Sequence, residues 1–294
     1  MKNYASKLLL FGEHIVIKGA RALAIPYPAF SGRWSFGPND PKLQQALPAF
    51  SSYLRDKNIK GVDFDLAAFD QDLANGLFFE SNIPVGYGLG SSGALCAAVY
   101  DRYAKQPIKR EDSAHLAQLQ AILAQMEGFF HAASSGVDPL VCYLGHPILL
   151  QGGQMPKIVP FNYPTTASPF FLIDTHITRQ TGPFVSLFLQ KYKELDFQAK
   201  VEQDIVPANE AAIDALLAGN AVALWYAFQA ISSFEYRHFL EMIPTGILPL
   251  WEEGLTRGDF ALKLCGAGGG GFMLGLAKDT AAMNRLSIAK AISF

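Results

Sequence analysis

Short apolar runs punctuate the first half of the chain at residues 7–10, 15–18, 77–79 and 148–150. Their length and their Leu, Ile, Val and Phe content predict buried strands. Residues 7–24 as a whole read as a strand, a tight polar turn and a second strand. Two stretches, 94–104 and 112–127, instead carry a helical period. In the second of these, Leu116, Leu119, Ile122, Leu123 and Met126 recur three and four apart, so one face of that helix is core. Asp112 stands where an N-cap is expected, and Glu127 emerges at the C-terminal end, where it can face a ligand.

Past Pro169 the pattern changes. An apolar strand at 170–174 leads into helical stretches at 183–195, 196–217, 221–242 and 247–256, with Pro207 expected to kink or divide the second. A strand pair flanking a run of glycines follows at 263–274. No internal repeat and no low-complexity linker interrupts the chain. Periodicity alone therefore predicts a mixed α and β protein.

Composition narrows the class. The 294 residues, half of them hydrophobic, are enough for one large or two modest domains with a substantial core. A net charge of −2 shows no basic excess, so neither a nucleic-acid backbone nor an anionic membrane surface is an expected partner. The apolar stretch at 8–11 stops at Glu13 and His14, too short for a signal peptide, and 221–231 is far short of a membrane span. The three cysteines, Cys96, Cys142 and Cys265, fit no metal or redox spacing. A reducing cytoplasm is the expected location.

Local chemistry appears at residues 84–94, Pro-Val-Gly-Tyr-Gly-Leu-Gly-Ser-Ser-Gly-Ala, where four glycines and two serines precede a helix. Glycines allow close backbone approach at positive φ, and the helix start offers unpaired N–H groups, which together make a phosphate cradle. Gly88 to Gly93 also spells G-x-G-x-x-G, yet Pro84 breaks the approach that a dinucleotide fingerprint requires and Glu111 lies in a polar run. No lysine follows the glycines, as a Walker loop demands. A plain structural turn stays open on this loop alone. Two further segments bear on it: Lys7 to Ala24, which contains Phe11-Gly12-Glu13-His14-Ile15-Val16, and Lys263-Leu264-Cys265-Gly266-Ala267-Gly268-Gly269-Gly270-Gly271-Phe272, whose glycines read as a tight hairpin between buried strands.

In this order and wording the three segments resemble the signature motifs of the GHMP kinases, named for galacto-, homoserine, mevalonate and phosphomevalonate kinases. The resemblance spans Lys7 to Leu274 and is greatest to the mevalonate kinase family, because Gly-Glu-His is followed by Ile15-Val16 and His14 stands where phosphomevalonate kinases typically have tyrosine. Residues 127–138, a glutamate preceding Ser135-Gly136-Val137-Asp138, match that family at the same interval. Taken singly, Glu127 reads as a solvated helix-end carboxylate and Asp138 as a helix cap before Pro139.

The resemblance implies an α+β fold of two domains meeting at a cleft that holds the active site. Residues 1–168 would form the ATP-binding N-terminal domain with the phosphate loop, and 169–294 a ferredoxin-like C-terminal domain. It implies ATP and Mg²⁺ as cofactors and mevalonate as a small-molecule acceptor, phosphorylated for isoprenoid biosynthesis by a monomer or homodimer. Pro84, Gly86, Gly88, Leu89, Gly90, Ser91, Ser92 and Gly93 would bind ATP from the loop, with Gly268 and Gly269 from the hairpin. Ser92 and Glu127 would hold the metal, since hard oxygen ligands suit it. Asp138 would take or orient the proton of the attacking hydroxyl, with Lys7 as its partner. Glu13, His14, Arg179 and Thr181 would meet the acceptor, His14 at its hydroxyl and Arg179 at its carboxylate. For His14 the bland reading is a satisfied structural histidine, and for Arg179 a surface arginine. Gly93 replaces an alanine common in the family, an exchange expected to leave the loop unharmed. Another GHMP kinase, with a phosphomevalonate, sugar or homoserine-type acceptor, shares every phosphate-binding residue. A non-catalytic sensor of the same fold is disfavoured because Lys7 and Asp138 are both present.

Overall fold

The computed structural model describes residues 2–37, 41–131, 134–160, 169–178, 181–286 and 289–292, with the side chains of 41–45, 181 and 289–291 outside the description. Strand β1 (Asn3–Phe11) runs antiparallel to the long β2 (Ala22–Phe36). Between them lies a difference from the sequence expectation: Ile15–Lys18 is a 3-10 turn, not a strand. Its β-branched residues favour extended backbone, but Gly12 and Gly19 bracket them at φ 101° and 94° and turn the chain too tightly. Ile15 alone of the four is buried. The second strand begins only at Ala22.

β2 pairs with β1, with β3 (Leu77–Ser81) and with β4 (Ile148–Leu150), and β4 in turn pairs with β5 (Lys157–Ile158), all antiparallel. The register slips between Ala5 and Ser6, whose partners are Ser31 and Tyr27, so Pro28 falls in the bulge rather than in the ladder. A strand tolerates proline there because no ladder N–H is lost. Five helices accompany this sheet: α1 (Pro41–Lys57), α2 (Leu66–Ala74), α3 (Ser91–Tyr103), α4 (Leu116–Glu127) and α5 (Val137–Leu144). The apolar stripe Leu116, Leu119, Ile122, Leu123 and Met126 of α4 is buried, as its spacing predicts. Asp112 does cap, but through Ala114 N–H at the head of a 3-10 turn, Ser113–His115, that leads into α4.

The second half begins with β6 (Phe170–Asp174) and continues through α6 (Thr181–Lys191), α7 (Leu195–Lys200), α8 (Val206–Leu217), α9 (Ala221–His238) and α10 (Leu248–Arg257). A π turn, Val201–Ile205, joins α7 to α8 and so divides the helical run just ahead of Pro207, which stands in the first turn of α8. Strands β7 (Phe260–Leu264) and β8 (Phe272–Ala277), helix α11 (Thr280–Asn284) and β9 (Ala289–Ala291) complete the chain. The sheet order β7-β8-β6-β9, antiparallel throughout, is that of a ferredoxin-like unit. The α+β expectation is therefore met.

The halves are stitched together near the turn after β1. The Phe11 ring meets Phe228 of α9 at 6.2 Å, edge-on. Arg21 pairs with Glu210 and, at 2.7 Å, with Asp214 on α8, while Asn209 Nδ2 donates to the Arg21 carbonyl at 2.9 Å. Hydrogen bonds to charged groups are worth more than neutral ones when partly buried. Arg21→Ala is expected to lower unfolding stability by about 1–3 kcal/mol, read by denaturant titration. A change below experimental error would show that the Arg21 pairs add nothing to the join between the two halves.

Candidate active site

The chain leaves β3 through residues 82–90 and enters α3 at Ser91. Gly86, Gly88 and Gly90 all adopt positive φ, at 80°, 72° and 73°. Gly90 caps α3 without a side-chain bond, so the first-turn N–H groups of α3 have no intrahelical acceptor and the positive end of the helix faces outward. The helix thus starts at Ser91, three residues before its apolar pattern does. Buried Leu89 anchors the loop, and its carbonyl accepts from Lys7 N–H at 2.8 Å. This contact fastens the loop to β1, which is how the first and second motifs come together.

Lys7 then reaches across the loop. Its Nζ lies 2.6 Å from Asp138 Oδ1 and 3.4 Å from the Gly88 carbonyl. Lys7 is nearly buried, whereas the Asp138 side chain keeps 31% of its surface exposed. Asp138 sits in the first turn of α5, whose N-cap, Gly136, has φ 72°. That placement answers the helix-cap reading: the cap is Gly136, and the Asp138 carboxylate is turned onto Lys7.

Gly93 matters more than its sequence context implies. A Cβ there would lie 2.8 Å from the Asp138 carbonyl carbon and from Pro139 N, and 3.0 Å from Asp138 Cβ. Helices α3 and α5 approach each other at this glycine, backbone against side-chain position, so the exchange with alanine is not neutral in this chain.

Glu127, the last residue of α4, is buried beside this pair. Ser92 Oγ donates to one carboxylate oxygen at 2.9 Å and Ser134 Oγ to the other, with His131 Nε2 3.2 Å from Ser92 Oγ. Burial, then the charge of Asp138, raises the Glu127 carboxyl above its ordinary value, against the pull of the two serines and His131. A carboxylate at the negative end of a helix and facing a second carboxylate is a place for a cation. Ser92 Oγ and Glu127 are hard oxygen donors suited to one. Among the described residues no three His, Cys, Asp or Glu side chains cluster as a closed metal cage, so the remaining ligands of a cation would come from water or phosphate.

The substrate-side residues fare differently. Glu13 is buried and its Oε1 lies 2.6 Å from Lys263 Nζ on β7, so the carboxylate is directed at the other half of the molecule rather than at open space. His14 has φ 62° and is buried against aromatic rings, with Phe188 stacked at 5.2 Å and Phe239 at 5.6 Å. Arg179 and the Thr181 side chain lie outside the described residues; Thr181 opens α6.

The glycine hairpin between β7 and β8 is tight, as expected, but two of its glycines answer to packing. A Cβ on Gly268 would meet the Met242 carbonyl at 2.8 Å, and one on Gly269 the Phe184 ring at 2.0 Å. Gly269 N–H donates to the Met242 carbonyl at 2.6 Å and so has no hydrogen to offer a phosphate. Gly271 is the residue that meets the phosphate loop: its Cβ would stand 2.8 Å from the Tyr87 carbonyl. Tyr87 and Glu235, both unassigned by sequence reasoning, belong to this junction. For Glu235 a signal exists, since it extends the buried series Leu224, Phe228 and Ile231 on α9 with a charge.

Gly93→Ala is expected to cost about 1–3 kcal/mol of unfolding stability through overpacking at the helix crossing, and to separate Asp138 from Lys7. Equal denaturation midpoints for the two proteins would show that α3 and α5 have room to part.

Comparison with known proteins bears on the fold. Residues 50–146 match the family of GHMP kinases N terminal domains. The chain is similar to mevalonate kinase of Pyrococcus abyssi, 23% identical over 313 aligned positions that cover 92% of this chain and 87% of the relative. Its structure is similar to L. major mevalonate kinase in complex with R-mevalonate, with a TM-score of 0.68, 16% identity and coverage of 99% of this chain and 95% of the other. Lactococcus lactis galactokinase complexed with galactose is similar to the same TM-score of 0.68, at 15% identity over 97% of this chain and 87% of its own. Residues 50–146 thus match the N-terminal domain of GHMP kinases, and the chain as a whole has the fold of these kinases.

Proposed function

We propose that the protein is an ATP-dependent kinase that phosphorylates mevalonate at its 5-hydroxyl, a step of isoprenoid biosynthesis. The observation that carries the reading is the 2.6 Å pair of Lys7 and Asp138 set at the start of α3 beneath the glycine loop. Residues 1–168 would serve as the ATP-binding domain and 169–294 as the C-terminal domain. Among the described residues no helix is long and apolar enough to cross a membrane.

Phosphoryl transfer asks the protein mainly for positioning and charge neutralisation. The α3 N–H groups and the Gly86, Gly88 and Gly90 backbone would hold the ATP phosphates. Asp138 would accept the proton of the attacking hydroxyl, and Lys7 would offset the negative charge growing on that oxygen. Ser92 and Glu127 fit Mg²⁺, which when bound to nucleotide neutralises phosphate charge and fixes phosphate geometry. The acceptor end would involve His14 with Arg179 and Thr181. The curated relative named mevalonate kinase, similar over most of both chains, supports this acceptor. Because a galactokinase has an equally similar fold, the acceptor is a question for assay.

A coupled ADP assay over mevalonate, phosphomevalonate, galactose and homoserine tests the reading. Turnover is expected with mevalonate and little with the others, and a strong preference for any other acceptor overturns the mevalonate assignment. Asp138→Asn is expected to keep nucleotide binding and lower turnover by on the order of 10² or more, so near-normal turnover at saturating substrates would remove Asp138 from the chemistry. For Glu127→Gln, the magnesium concentration at half-maximal rate is expected to rise with little change in the acceptor KM. An unaltered magnesium titration would exclude Glu127 as a ligand.

A further inference from the structure

Three ionisable side chains are buried together where the two halves of the molecule meet, and the phosphoryl-transfer scheme uses none of them. Glu13 follows β1, Lys263 lies on β7, and Glu235 lies on α9, each at most 5% exposed. Lys263 Nζ is 2.6 Å from Glu13 Oε1 and donates to the Leu264 carbonyl at 2.7 Å. Leu264 N–H donates to Glu235 Oε2 at 2.7 Å, and Gly266 N–H to Glu13 Oε1 at 3.3 Å. All four contacts converge on residues 263–266, the stem of the glycine hairpin whose far end, Gly271, presses on Tyr87 of the phosphate loop.

Burying three ionisable groups is costly unless the geometry repays it, and among the described residues the structure they jointly fix is that stem. We propose that Glu13, Lys263 and Glu235 form a clasp that positions the glycine hairpin against the phosphate loop, so that Lys263 and Glu235 act as positioning residues for nucleotide binding without touching the nucleotide. The inference rests on the kinase reading above.

The clasp has a protonation state. The charged groups facing Glu235 are Lys263 from β7 and Glu13 from the turn after β1. Burial first, then the Glu13 charge, pushes the Glu235 carboxyl from 4.5 up to about 8, against Lys263 and the Leu264 N–H, which lower it. At pH 7 Glu235 therefore keeps its proton, and the clasp holds one anion and one cation. Because the folded value exceeds the unfolded one, the stability that this protonation contributes is complete below about 4.5 and is lost as pH rises toward about 8. Above that, a second buried carboxylate competes for Lys263, loosens its hold on Glu13, and adds negative charge behind the hairpin that faces polyphosphate.

Calorimetric titration of the full chain with ADP at pH 7 and pH 9 tests this without any acceptor. Wild type is expected to lose affinity between the two pH values by about fivefold or more. Glu235→Gln, which keeps an oxygen for Leu264 N–H but cannot ionise, is expected to bind normally at pH 7 and to lose much less by pH 9. Glu235→Ala, which leaves that N–H without an acceptor, is expected to bind ADP weakly at both. If Glu235→Gln follows the wild-type pH dependence, or if Glu235→Ala lowers the melting temperature while binding ADP as wild type does, the clasp is merely structural and the proposal fails. Wild type that binds no ADP at either pH would overturn the kinase reading itself, and this proposal with it.

Discussion

The arrangement of the site follows from helix ends. α3 and α5 both begin there, at Gly90 and Gly136, and α4 ends there, at Glu127. Two positive helix termini and the Lys7 ammonium thus surround Asp138, while a negative terminus carries its own buried carboxylate. Such a layout is incomplete in water: it calls for an anion over the helix starts and a cation over the helix end. Under the proposed function, a nucleotide triphosphate with its divalent metal would supply both at once. The convergence needs α3 and α5 to be close enough that a single methyl at Gly93 would not fit. Close packing at that crossing and electrostatic complementarity to phosphate are therefore one constraint, met by one glycine.

Much of this was legible in the sequence because it is local. The phosphate loop, the helix that follows it, the apolar stripe of α4 and the glycine hairpin each declare themselves within a few residues. Lys7 and Asp138 could be paired in advance only through the family resemblance, since 131 positions separate them and no pattern in either segment names the other. What stayed hidden depends on tertiary contact. The 3-10 turn at Ile15–Lys18 follows from two flanking glycines that override β-branched propensity. Gly268 and Gly269 looked like ligand-facing glycines, yet Met242 and Phe184 explain them. A close neighbour and a ligand impose the same demand for a missing side chain, and sequence cannot tell the two apart.

Glu13 illustrates a second kind of ambiguity. In sequence it stands beside His14 in a motif that resembles a substrate-binding one, and a carboxylate there reads naturally as facing a ligand. In space it is directed at Lys263, and the motif's second role, joining the halves of the molecule, comes into view. The aromatic surroundings of His14, Phe188 from α6 and Phe239 after α9, place the neighbouring position at the same seam. One turn between β1 and β2 thus carries two residues, Glu13 and His14, that both pack against the second half of the molecule.

The long strand β2 carries a consequence for how the chain is made. Its first residues, Ala22 to Ala24, pair with β4 residues 148–150, 124 to 128 positions further on, whereas its pairing with β1 is available almost at once. During synthesis at about 5–20 residues per second, the β2 edge at Ala22–Ala24 waits roughly 6–25 s for its partner. For that interval the nascent sheet presents an apolar, unpaired edge of the kind that captures other strands. The order in which the ribosome delivers β2 and β4 thus leaves this apolar edge open until β4 emerges to cover it.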